Sequence, residues 1–245
     1  MVIMGKQVRL DKYLCSCLDI TRKEAKEFLK KGKVQVKDQI IKKPEYKIQP
    51  ETEQVLLDGK KLSYEEFHYL MLHKPAGVVS ATKDRQDSTV LDLISESYKN
   101  KLFPVGRLDK DTEGLLLLTD DGELAHNLLS PKKHVKKVYF ARVSGCIDKK
   151  TVELFSNGIS IGNGEVAKPA ELKIIEANEK ESLILITITE GKYHQVKRMV
   201  KSAGSEVLYL KRLSMGKLVL DENLSLGEYR TLTSEEIRQL KEHTC

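Results

Sequence analysis

Apolar and polar residues recur along this chain with two different periods, and the change of period marks the predicted elements. Between residues 10 and 18 the apolar side chains recur every three or four positions, which predicts a helix with one buried face. A second helix is predicted after Thr21, because Thr21 and Glu24 have the T-x-x-E spacing of a capping box. Gly32 is expected to end it. The segments "KVQVK" and "QVLLDG" then predict short strands.

Strand patterns dominate the rest of the chain. Pro75 and Gly77 are expected to turn the chain between two apolar strands in "HYLMLHKPAGVVSAT". Further strands are predicted at "LLLLT", "KVYFARVSG", "ELKIIEA" and "SLILITIT", and helices at "TVLDLISESY", "ELAHNLLS", "KTVELFSNG" and "HQVKRMVKSAG". Short polar turns between the strands favour an α+β fold, with a mixed, largely antiparallel sheet flanked by helices. The predicted domains are residues 1–60 and 68–245, joined by the linker "KLSYEEF" at 61–67.

Composition places the chain among soluble globular proteins and excludes several kinds of site. Of 245 residues, 40% are hydrophobic and 32% charged, which suffices for a real core. No apolar run approaches the ~18 residues of a membrane span, and the N-terminal apolar segment is too short for a signal peptide, so we expect a cytosolic protein. The four cysteines lack metal-site spacing, and the nucleotide-binding motifs GxGxxG and GxxxxGK[ST] are absent. No metal and no cofactor are therefore expected.

The formal net charge of +6 is unevenly distributed. Residues 1–60 contain 14 basic and 9 acidic residues, whereas the remaining 185 contain 28 and 27. A compact basic module is typical of proteins that bind a polyanion, because each phosphate contact releases condensed counterions. From charge alone, a lysine-rich surface that faces only solvent is an equal alternative.

The stretch "GRLDKDTEGLLLLTDDG" surrounds four leucines with carboxylates. "LLLLT" has no polar side, so it is expected to be a strand buried on both faces. Asp120 and Asp121 follow it as predicted turn and N-cap residues of the next helix, and Asp111 also fits a turn. Asp109 differs because it lies at the mouth of the buried strand, close to Arg107. Its position alone makes Asp109 a candidate reactive carboxylate, whereas the neighbouring acids fit turn positions.

The segment "EGKYHQVKRMVKSAG" predicts a helix with a cation at the edge of its apolar face. Its core face consists of Val196, Met199, Val200 and Ala203. His194, Arg198 and Lys201 point away from that face. For Arg198 and Lys201 this position fits either solvent exposure or contact with RNA phosphate. Lys197 lies at the edge of the apolar stripe, where a partly buried cation usually has an anionic partner. We therefore expect Lys197 to form an ion pair with a carboxylate.

The N-terminal segment resembles the S4 RNA-binding domain over about residues 6–58. The resemblance rests on "RLDKYL" and on "TRKEAKEFLKKGKVQVKDQ", whose helix carries Arg22, Lys26 and Lys30 four residues apart. A helix and hairpin with such a cationic stripe could lie along an RNA backbone. The RNA-binding residues expected on this basis are Arg9, Lys12, Arg22, Lys23, Lys26 and Lys30.

The larger segment resembles the pseudouridine synthases, specifically the RsuA/RluB-type branch. "GRLDKDTEGLLLLTDDG" and "EGKYHQVKRM" carry the resemblance, and "HKPAGVVSAT", "KKVYFARVSG" and "GEYRTLT" match in the family's order. Lys192 stands where relatives often have arginine. With the S4-like segment, the resemblance covers nearly the whole chain, and it implies a catalytic domain built around a central cleft.

The resemblance also implies roles for individual residues. Asp109 matches the catalytic aspartate, Tyr139 the active-site tyrosine that stacks on the target base and can serve in proton transfer, and Lys197 the basic residue paired with the aspartate. Arg107 matches an arginine near the flipped nucleotide. The expected substrate-binding set is Arg107, His194, Gln195 and Arg198.

The implied reaction is the isomerisation of a uridine in ribosomal RNA. It needs a flipped nucleotide and one ionised carboxylate, which could attack C1′, attack C6 or remove the C2′ proton. We favour small-subunit (16S) RNA, because the chain stops soon after "GEYRTLT" and "VAKPAEL" looks small-subunit-like. The alternatives are the same chemistry on large-subunit (23S) RNA, or a non-catalytic factor that binds ribosomal RNA during assembly. The expected state is a cytoplasmic monomer whose partner is ribosomal RNA, free or in a ribosomal particle, and no membrane.

Overall fold

A computed structural model of the chain describes residues 7–18 and 20–242. The chain divides into two compact units between Phe67 and His68. None of the described helices is long and apolar enough to cross a membrane. Cys15, Cys17 and Cys146 are not part of a disulfide, and Cys245 lies outside the described residues. In the described ranges no group of three or more His, Cys, Asp and Glu side chains could hold a metal ion.

The first unit contains two short helices and two small sheets. The helices are α1 (Leu10–Leu18) and α2 (Arg22–Lys30), and the strands are β1 (Val8–Arg9), β2 (Val34–Val36), β3 (Gln39–Ile40), β4 (Lys47–Ile48), β5 (Val55–Leu57) and β6 (Lys60–Lys61). The strand order is β3-β2-β5-β6 in one sheet, and β1 pairs with β4 in the other. Leu10, Leu14, Ala25 and Leu29 are fully buried in the core between these elements.

Both ends predicted for α2 are confirmed. The Thr21 hydroxyl accepts a hydrogen bond from the Glu24 N–H, and the Glu24 carboxylate accepts one from the Thr21 N–H at 2.8 Å. This reciprocal pair satisfies two N–H groups that a helix start leaves without partners. Gly32 follows the C-cap with φ +70°, a left-handed conformation that glycine adopts without steric strain.

The start of the predicted linker belongs to the first unit instead. Lys61 pairs with Leu56 in the β5–β6 ladder, and Leu62 packs against the core. The Tyr64 ring stacks on Tyr13 with 4.7 Å between centroids. The connector pattern in "KLSYEEF" was misleading because a few apolar side chains among charged ones are enough to anchor such a segment to a small core.

The second unit is built on one large mixed sheet. Its strands are β7 (Tyr69–Lys74), β8 (Phe103–Pro104), β9 (Glu113–Thr119), β10 (Lys137–Ser144), β11 (Glu171–Ala177), β12 (Glu181–Ile188), β13 (Val207–Met215), β14 (Leu218–Val219) and β15 (Tyr229–Thr231). The main order is β11-β12-β10-β13-β9-β7-β15, with β14 on β13 and β8 on β9. All pairs are antiparallel except β13 with β9. The predicted mixed, largely antiparallel sheet is confirmed.

Three of the four helices described in this unit were predicted. The last one was not, and one predicted helix is absent. They are α3 (Gly122–Leu129), α4 (Lys149–Asn157), α5 (Gln195–Ser202) and α6 (Ser234–Glu242). The Asp121 carboxylate caps α3 by accepting from the Leu124 N–H at 3.0 Å, as predicted. The predicted helix in "TVLDLISESY" was wrong, because only a 3-10 turn forms at Val90–Leu93 and Ile94 is already extended. Val90, Leu91 and Ile94 are buried in the main core, so packing against the sheet determines the backbone of a segment that is too short to form a stable helix by itself.

Strand β9 is an interior strand of the sheet and determines where the acidic loop before it is located. Leu115, Leu116, Leu117 and Leu118 are fully buried, which confirms the strand predicted to be covered on both faces. Antiparallel β7 lies on one side of β9 and parallel β13 on the other. The residues that precede β9 therefore lie at the ends of the interior strands, beside β13. Strand β10 is the other neighbour of β13.

Candidate active site

A pocket opens where the loop before β9 meets β10, the end of β12 and the beginning of α5. Its walls include Arg107, Asp109, Tyr139, His194, Gln195 and Lys197, together with Leu108, Thr112, Ile188, Gly191, Lys192, Val196 and Leu210. Six of the seven predicted catalytic and substrate-binding residues are therefore brought together, although they come from three distant parts of the sequence. Arg198 is the exception.

The backbone around Asp109 is hydrogen-bonded to the segment "KPAGVVS", residues 74–80. The Ser80 hydroxyl accepts a hydrogen bond from the Leu108 N–H at 3.0 Å and donates one to the Leu108 carbonyl oxygen at 2.9 Å. The Gly77 N–H donates to the carbonyl oxygen of Lys110 at 2.8 Å. These bonds fix the backbone conformation of the loop. The Asp109 side chain is 25% exposed and lines the pocket.

Lys74, at the end of β7, holds the same loop through its side chain. Its ammonium group is fully buried and lies within hydrogen-bond distance, 2.8–3.3 Å, of the carbonyl oxygens of Pro75, Asp109, Lys110 and Thr112, which share its three N–H donors. Burial lowers the pKa of Lys74 to about 8, against the opposing charges of Asp111 and Asp109. Sequence reasoning missed this residue, although a lysine that ends the wholly apolar run "YLML" was the available signal.

The buried Lys74 is expected to couple the stability of the fold to pH. The unfolded chain loses this proton near the ordinary lysine pKa of 10.5, whereas the folded protein loses it near 8. Between these values the unfolded state holds one more proton, so the free energy of unfolding rises with pH by ~1.4 kcal/mol per unit from this group. Lys74→Met should reduce the slope by that amount in urea unfolding measured from pH 8 to 10.

Two comparisons make this experiment specific. Lys137 is also buried, and burial lowers its pKa to about 8. In Lys74→Met the free energy of unfolding should therefore still rise with pH, with a slope smaller by the contribution of one proton. Lys173 is exposed, and Lys173→Met should keep the slope of the unmodified protein. Equal slopes for Lys74→Met and the unmodified protein would contradict the burial of a charged Lys74.

Lys197 forms the expected ion pair, but with two carboxylates. Its ammonium nitrogen lies 3.4 Å from Asp109 Oδ2 and donates hydrogen bonds to Asp111 Oδ1 and Oδ2 at 2.5 and 2.7 Å. Asp111 lies in a turn, as predicted, and its side chain also binds Lys197, which was not predicted. Burial raises the pKa of the Asp111 carboxyl, but the hydrogen bonds and charge of Lys197 outweigh this effect and lower it. Lys197 thus bridges two carboxylates of one loop.

His194 approaches Asp109 from the other side. Its Nε2 atom lies 3.5 Å from Asp109 Oδ1, so each carboxylate oxygen has a basic side chain near it. His194 occupies the N-cap position of α5 with φ +48° and ψ +35°, the left-handed region. Non-glycine residues are uncommon there and occur preferentially at functional sites. Sequence reasoning placed His194 on the face away from the core, which agrees with this position.

Tyr139 supplies an aromatic ring to the pocket from β10. The side chains of β10 alternate between the two faces of the sheet, and Tyr139 is only 7% exposed. The β10–β13 register shifts between Val138 and Tyr139, which is the mark of a bulge. Bulges change the direction in which a strand presents a side chain. Leu210 and Ile188 form the apolar part of the pocket wall beside this ring.

Gln195 and Arg198 serve the structure of the loop before α5. The buried Gln195 amide donates to Glu190 Oε1 at 2.8 Å and accepts from the Lys192 N–H at 2.9 Å. The Arg198 guanidinium donates to the carbonyl oxygens of Ile161 and Gly162 and pairs with Glu165. Arg198 is therefore directed away from the pocket, in contrast to the position expected of a substrate-binding residue. Arg107 is exposed and lines the pocket, as expected of a residue that meets an incoming nucleotide.

The predicted RNA-binding side chains of the first unit are all exposed: Arg9, Lys12, Arg22, Lys23, Lys26 and Lys30. Arg9 is distinctive because its guanidinium donates to both Asp11 carboxylate oxygens, at 3.0 and 2.8 Å. These bonds hold the pKa of the Asp11 carboxyl below its usual value. An RNA phosphate would have to compete with Asp11 for Arg9. Along α2, by contrast, the cations are exposed beside the buried face formed by Ala25 and Leu29.

The pocket can hold a planar group against an aromatic ring and expose it to one carboxylate. Lys197 places a positive charge 3.4 Å from Oδ2 of Asp109. A carboxylate can act as a nucleophile or as a base. These groups suit bond rearrangement at a flat heterocycle.

Comparisons with known proteins agree with this geometry. Residues 68–202 match the RNA pseudouridylate synthase family, and residues 8–53 match the S4 domain. An RNA pseudouridine synthase of Bacillus subtilis is 48% identical and covers 96% of this chain and 99% of its own. The ribosomal small subunit pseudouridine synthase A of Vibrio cholerae is 43% identical (95% and 99% covered), and that of Escherichia coli 38% (94% and 98%).

A solved structure supports the same assignment. A crystal structure of a pseudouridylate synthase superposes with a TM-score of 0.67 at 36% identity, covering 95% of this chain and 99% of that one. The similarity extends over both units, so it includes the S4-like segment as well as the large sheet. From its sequence matches and its fold, this chain belongs to the RNA pseudouridylate synthase family and is an S4-domain-containing member of it.

Proposed function

We propose that this protein isomerises one uridine of small-subunit ribosomal RNA to pseudouridine. The observation that carries the proposal is the position of Asp109, which faces a pocket with Tyr139 and has Lys197 at 3.4 Å. The choice of RNA is supported by relatives named small subunit pseudouridine synthase A, which are similar along nearly their whole length. We further propose that the protein works as a cytoplasmic monomer on ribosomal RNA, free or in an assembling particle.

The chemistry moves one glycosidic bond and one proton. The N1–C1′ bond of uridine breaks, the base turns, and a C5–C1′ bond forms, while C5 loses its hydrogen and N1 gains one. No oxidant and no water are consumed. The target atoms are hidden in stacked RNA, so the nucleotide must be flipped into the pocket at a cost of ~ a few kcal/mol.

Each proposed residue contributes to one part of this process. Tyr139 stacks on the flipped base, which stabilises it by ~1–3 kcal/mol. Asp109 is the carboxylate that reacts with the nucleoside or removes its proton, and the ammonium group of Lys197 lies 3.4 Å from it. Arg107 contacts the nucleotide from the exposed wall, and His194 lies against the second oxygen of Asp109.

The proposal is tested by mapping pseudouridines in ribosomal RNA from cells with and without the gene. We expect one small-subunit position to lose its pseudouridine in the deletion strain and to regain it when the gene is restored. An unchanged map would refute the catalytic proposal, and loss at a large-subunit position would refute the choice of RNA.

The cationic stripe of α2 is proposed to dock the RNA backbone. Changing Arg22, Lys26 and Lys30 together to glutamine should weaken binding to small-subunit RNA and make the affinity less dependent on salt. Each phosphate contact adds ~0.7–0.9 to the slope of log affinity against log salt, so the slope should fall by up to ~2–3. Titrations at several salt concentrations measure both quantities.

A control with the same loss of charge separates a local stripe from overall charge. Lys149, Lys173 and Lys180 are exposed on the second unit, and changing these three to glutamine should alter the slope much less. If both triple variants reduce affinity and slope equally, α2 has no special role in docking.

A further inference from the structure

Tyr193 is an exposed aromatic residue beside the active-site pocket. Its side chain is 76% exposed, the highest value among the large apolar side chains of the described residues. It lies in the loop between β12 and α5, and both its neighbours in sequence, Lys192 and His194, line the pocket. An exposed aromatic ring beside a pocket that would receive a nucleotide offers a surface on which a base can stack.

The Tyr193 ring stacks on the His194 ring, which in turn lies against the Asp109 carboxylate. Its centroid lies 3.8 Å from that of the His194 ring, and the two planes differ by 16°. The His194 ring in turn places Nε2 at 3.5 Å from Asp109 Oδ1. His194 therefore covers one face of the Tyr193 ring, and the high exposure of Tyr193 leaves the other face available. Two parallel rings thus lead from the carboxylate towards solvent.

The loop that presents Tyr193 is held in place before any ligand arrives. The Tyr193 carbonyl oxygen accepts a hydrogen bond from Arg198 Nη1 at 3.3 Å. The Gln195 side chain donates a hydrogen bond to Glu190 and accepts one from the Lys192 N–H. The Lys192 ammonium donates to the carbonyl oxygen of Val166 at 2.7 Å. A ligand that stacks on Tyr193 therefore loses little free energy to ordering the protein.

Unpaired nucleobases match this surface best. Every base has a flat π-face that stacks on an aromatic ring whatever its sequence. Arg107 and Lys192 lie among the pocket residues, so a polyanion is favoured at this rim. When a uridine enters the pocket, the nucleotides next to it in the RNA chain must lie close to the pocket entrance, where Tyr193 is located.

We propose that Tyr193 is a stacking platform for the unpaired base that flanks the flipped uridine. The inference rests on the proposed function, because it takes the pocket as the site of that uridine. It assigns the ring a role in binding RNA and none in the bond rearrangement.

The test compares the affinity of ring variants for RNA. Binding of in vitro transcribed small-subunit RNA is measured by fluorescence anisotropy for the unmodified protein, Tyr193→Ala and Tyr193→Phe. We expect the Kd of Tyr193→Ala to rise on the order of tenfold to a hundredfold, and that of Tyr193→Phe to stay within about threefold. Leu208, another exposed apolar residue, supplies the control, and Leu208→Ala should leave the Kd unchanged.

Removing bases from the RNA identifies the stacking partner. In a synthetic RNA spanning the segment that the protein protects from nuclease, abasic nucleotides replace the residues one at a time. At one position next to the target, the abasic change should weaken binding by the unmodified protein but not further weaken Tyr193→Ala. An unchanged Kd for Tyr193→Ala, equal losses for Tyr193→Ala and Tyr193→Phe, or the lack of any coupled position would each overturn the platform.

A separate readout judges the proposed function. RNA labelled with tritium at uridine C5 releases tritium to water when C5 loses its hydrogen. If the unmodified protein releases none, the proposed function fails, while the affinities and the abasic scan still decide whether Tyr193 stacks on a base.

Discussion

Asp109→Asn is expected to abolish pseudouridine formation while RNA binding persists. The amide has nearly the same shape as the carboxylate, so the loop held by Lys74 and Ser80 should keep its conformation. It lacks the negative charge that either a nucleophile or a base requires. Loss of such a group lowers turnover by at least about a thousandfold. Tritium release from C5-labelled RNA measures turnover, and anisotropy measures binding.

Asp111→Asn provides the matched comparison, because Asp111 lies in the same loop and also contacts Lys197. Its side chain is 71% exposed, and exposed ion pairs contribute little to stability. We expect Asp111→Asn to retain at least tenfold more activity than Asp109→Asn. If the two variants are equally inactive, or if Asp109→Asn is the more active one, the catalytic role belongs to another carboxylate.

Gly114→Ala is expected to destabilise the second unit more than any other single methyl addition at its glycines. Gly114 has φ +105°, and a Cβ atom there would lie 2.2 Å from the Arg212 carbonyl oxygen and 2.7 Å from its nitrogen. These are backbone atoms of the parallel β9–β13 pair, so no side-chain rotation relieves the clash. We expect a loss of ~3 kcal/mol or more in the free energy of unfolding, measured with urea.

Gly145→Ala separates the clash from the cost of backbone conformation. Gly145 also has a positive φ, +74°, but a Cβ atom there has no neighbour within 4 Å. Only the conformational cost of about 1–2 kcal/mol is expected. Equal losses for the two variants would show that the close approach of β9 and β13 contributes nothing. Since β9 also positions the Asp109 loop, Gly114→Ala should reduce activity even where the unit remains folded.

The periodicity of the sequence was sufficient for most of the fold. The capping box at Thr21, the N-cap at Asp121 and the doubly buried leucines of β9 were predicted and confirmed. Each depends on residues that are close in sequence, where propensity and spacing act directly. The helix predicted in "TVLDLISESY" was wrong, because the apolar residues of this segment pack into the main core and packing outweighs local preference.

The site shows a similar division. The spacing of its helix indicated that Lys197 would have an anionic partner, and the family resemblance assigned that role to Asp109. The fold placed Lys197 against Asp111 as well, and at a shorter distance. It also turned Arg198 away from the pocket towards Ile161 and Gly162. Side chains as long as lysine and arginine can reach several partners, so their contacts depend on loops far away in sequence.

The sequence by itself determined the order of the elements, the residues of the core, and the residue types from which the site is built. Only the tertiary structure decided which carboxylates share Lys197, that Lys74 holds the Asp109 loop from beneath, and that Tyr193 stacks on His194 at the rim of the pocket. The physical reason is distance along the chain. Periodicity describes how a segment faces the core, whereas these contacts join segments that meet only after the sheet has formed.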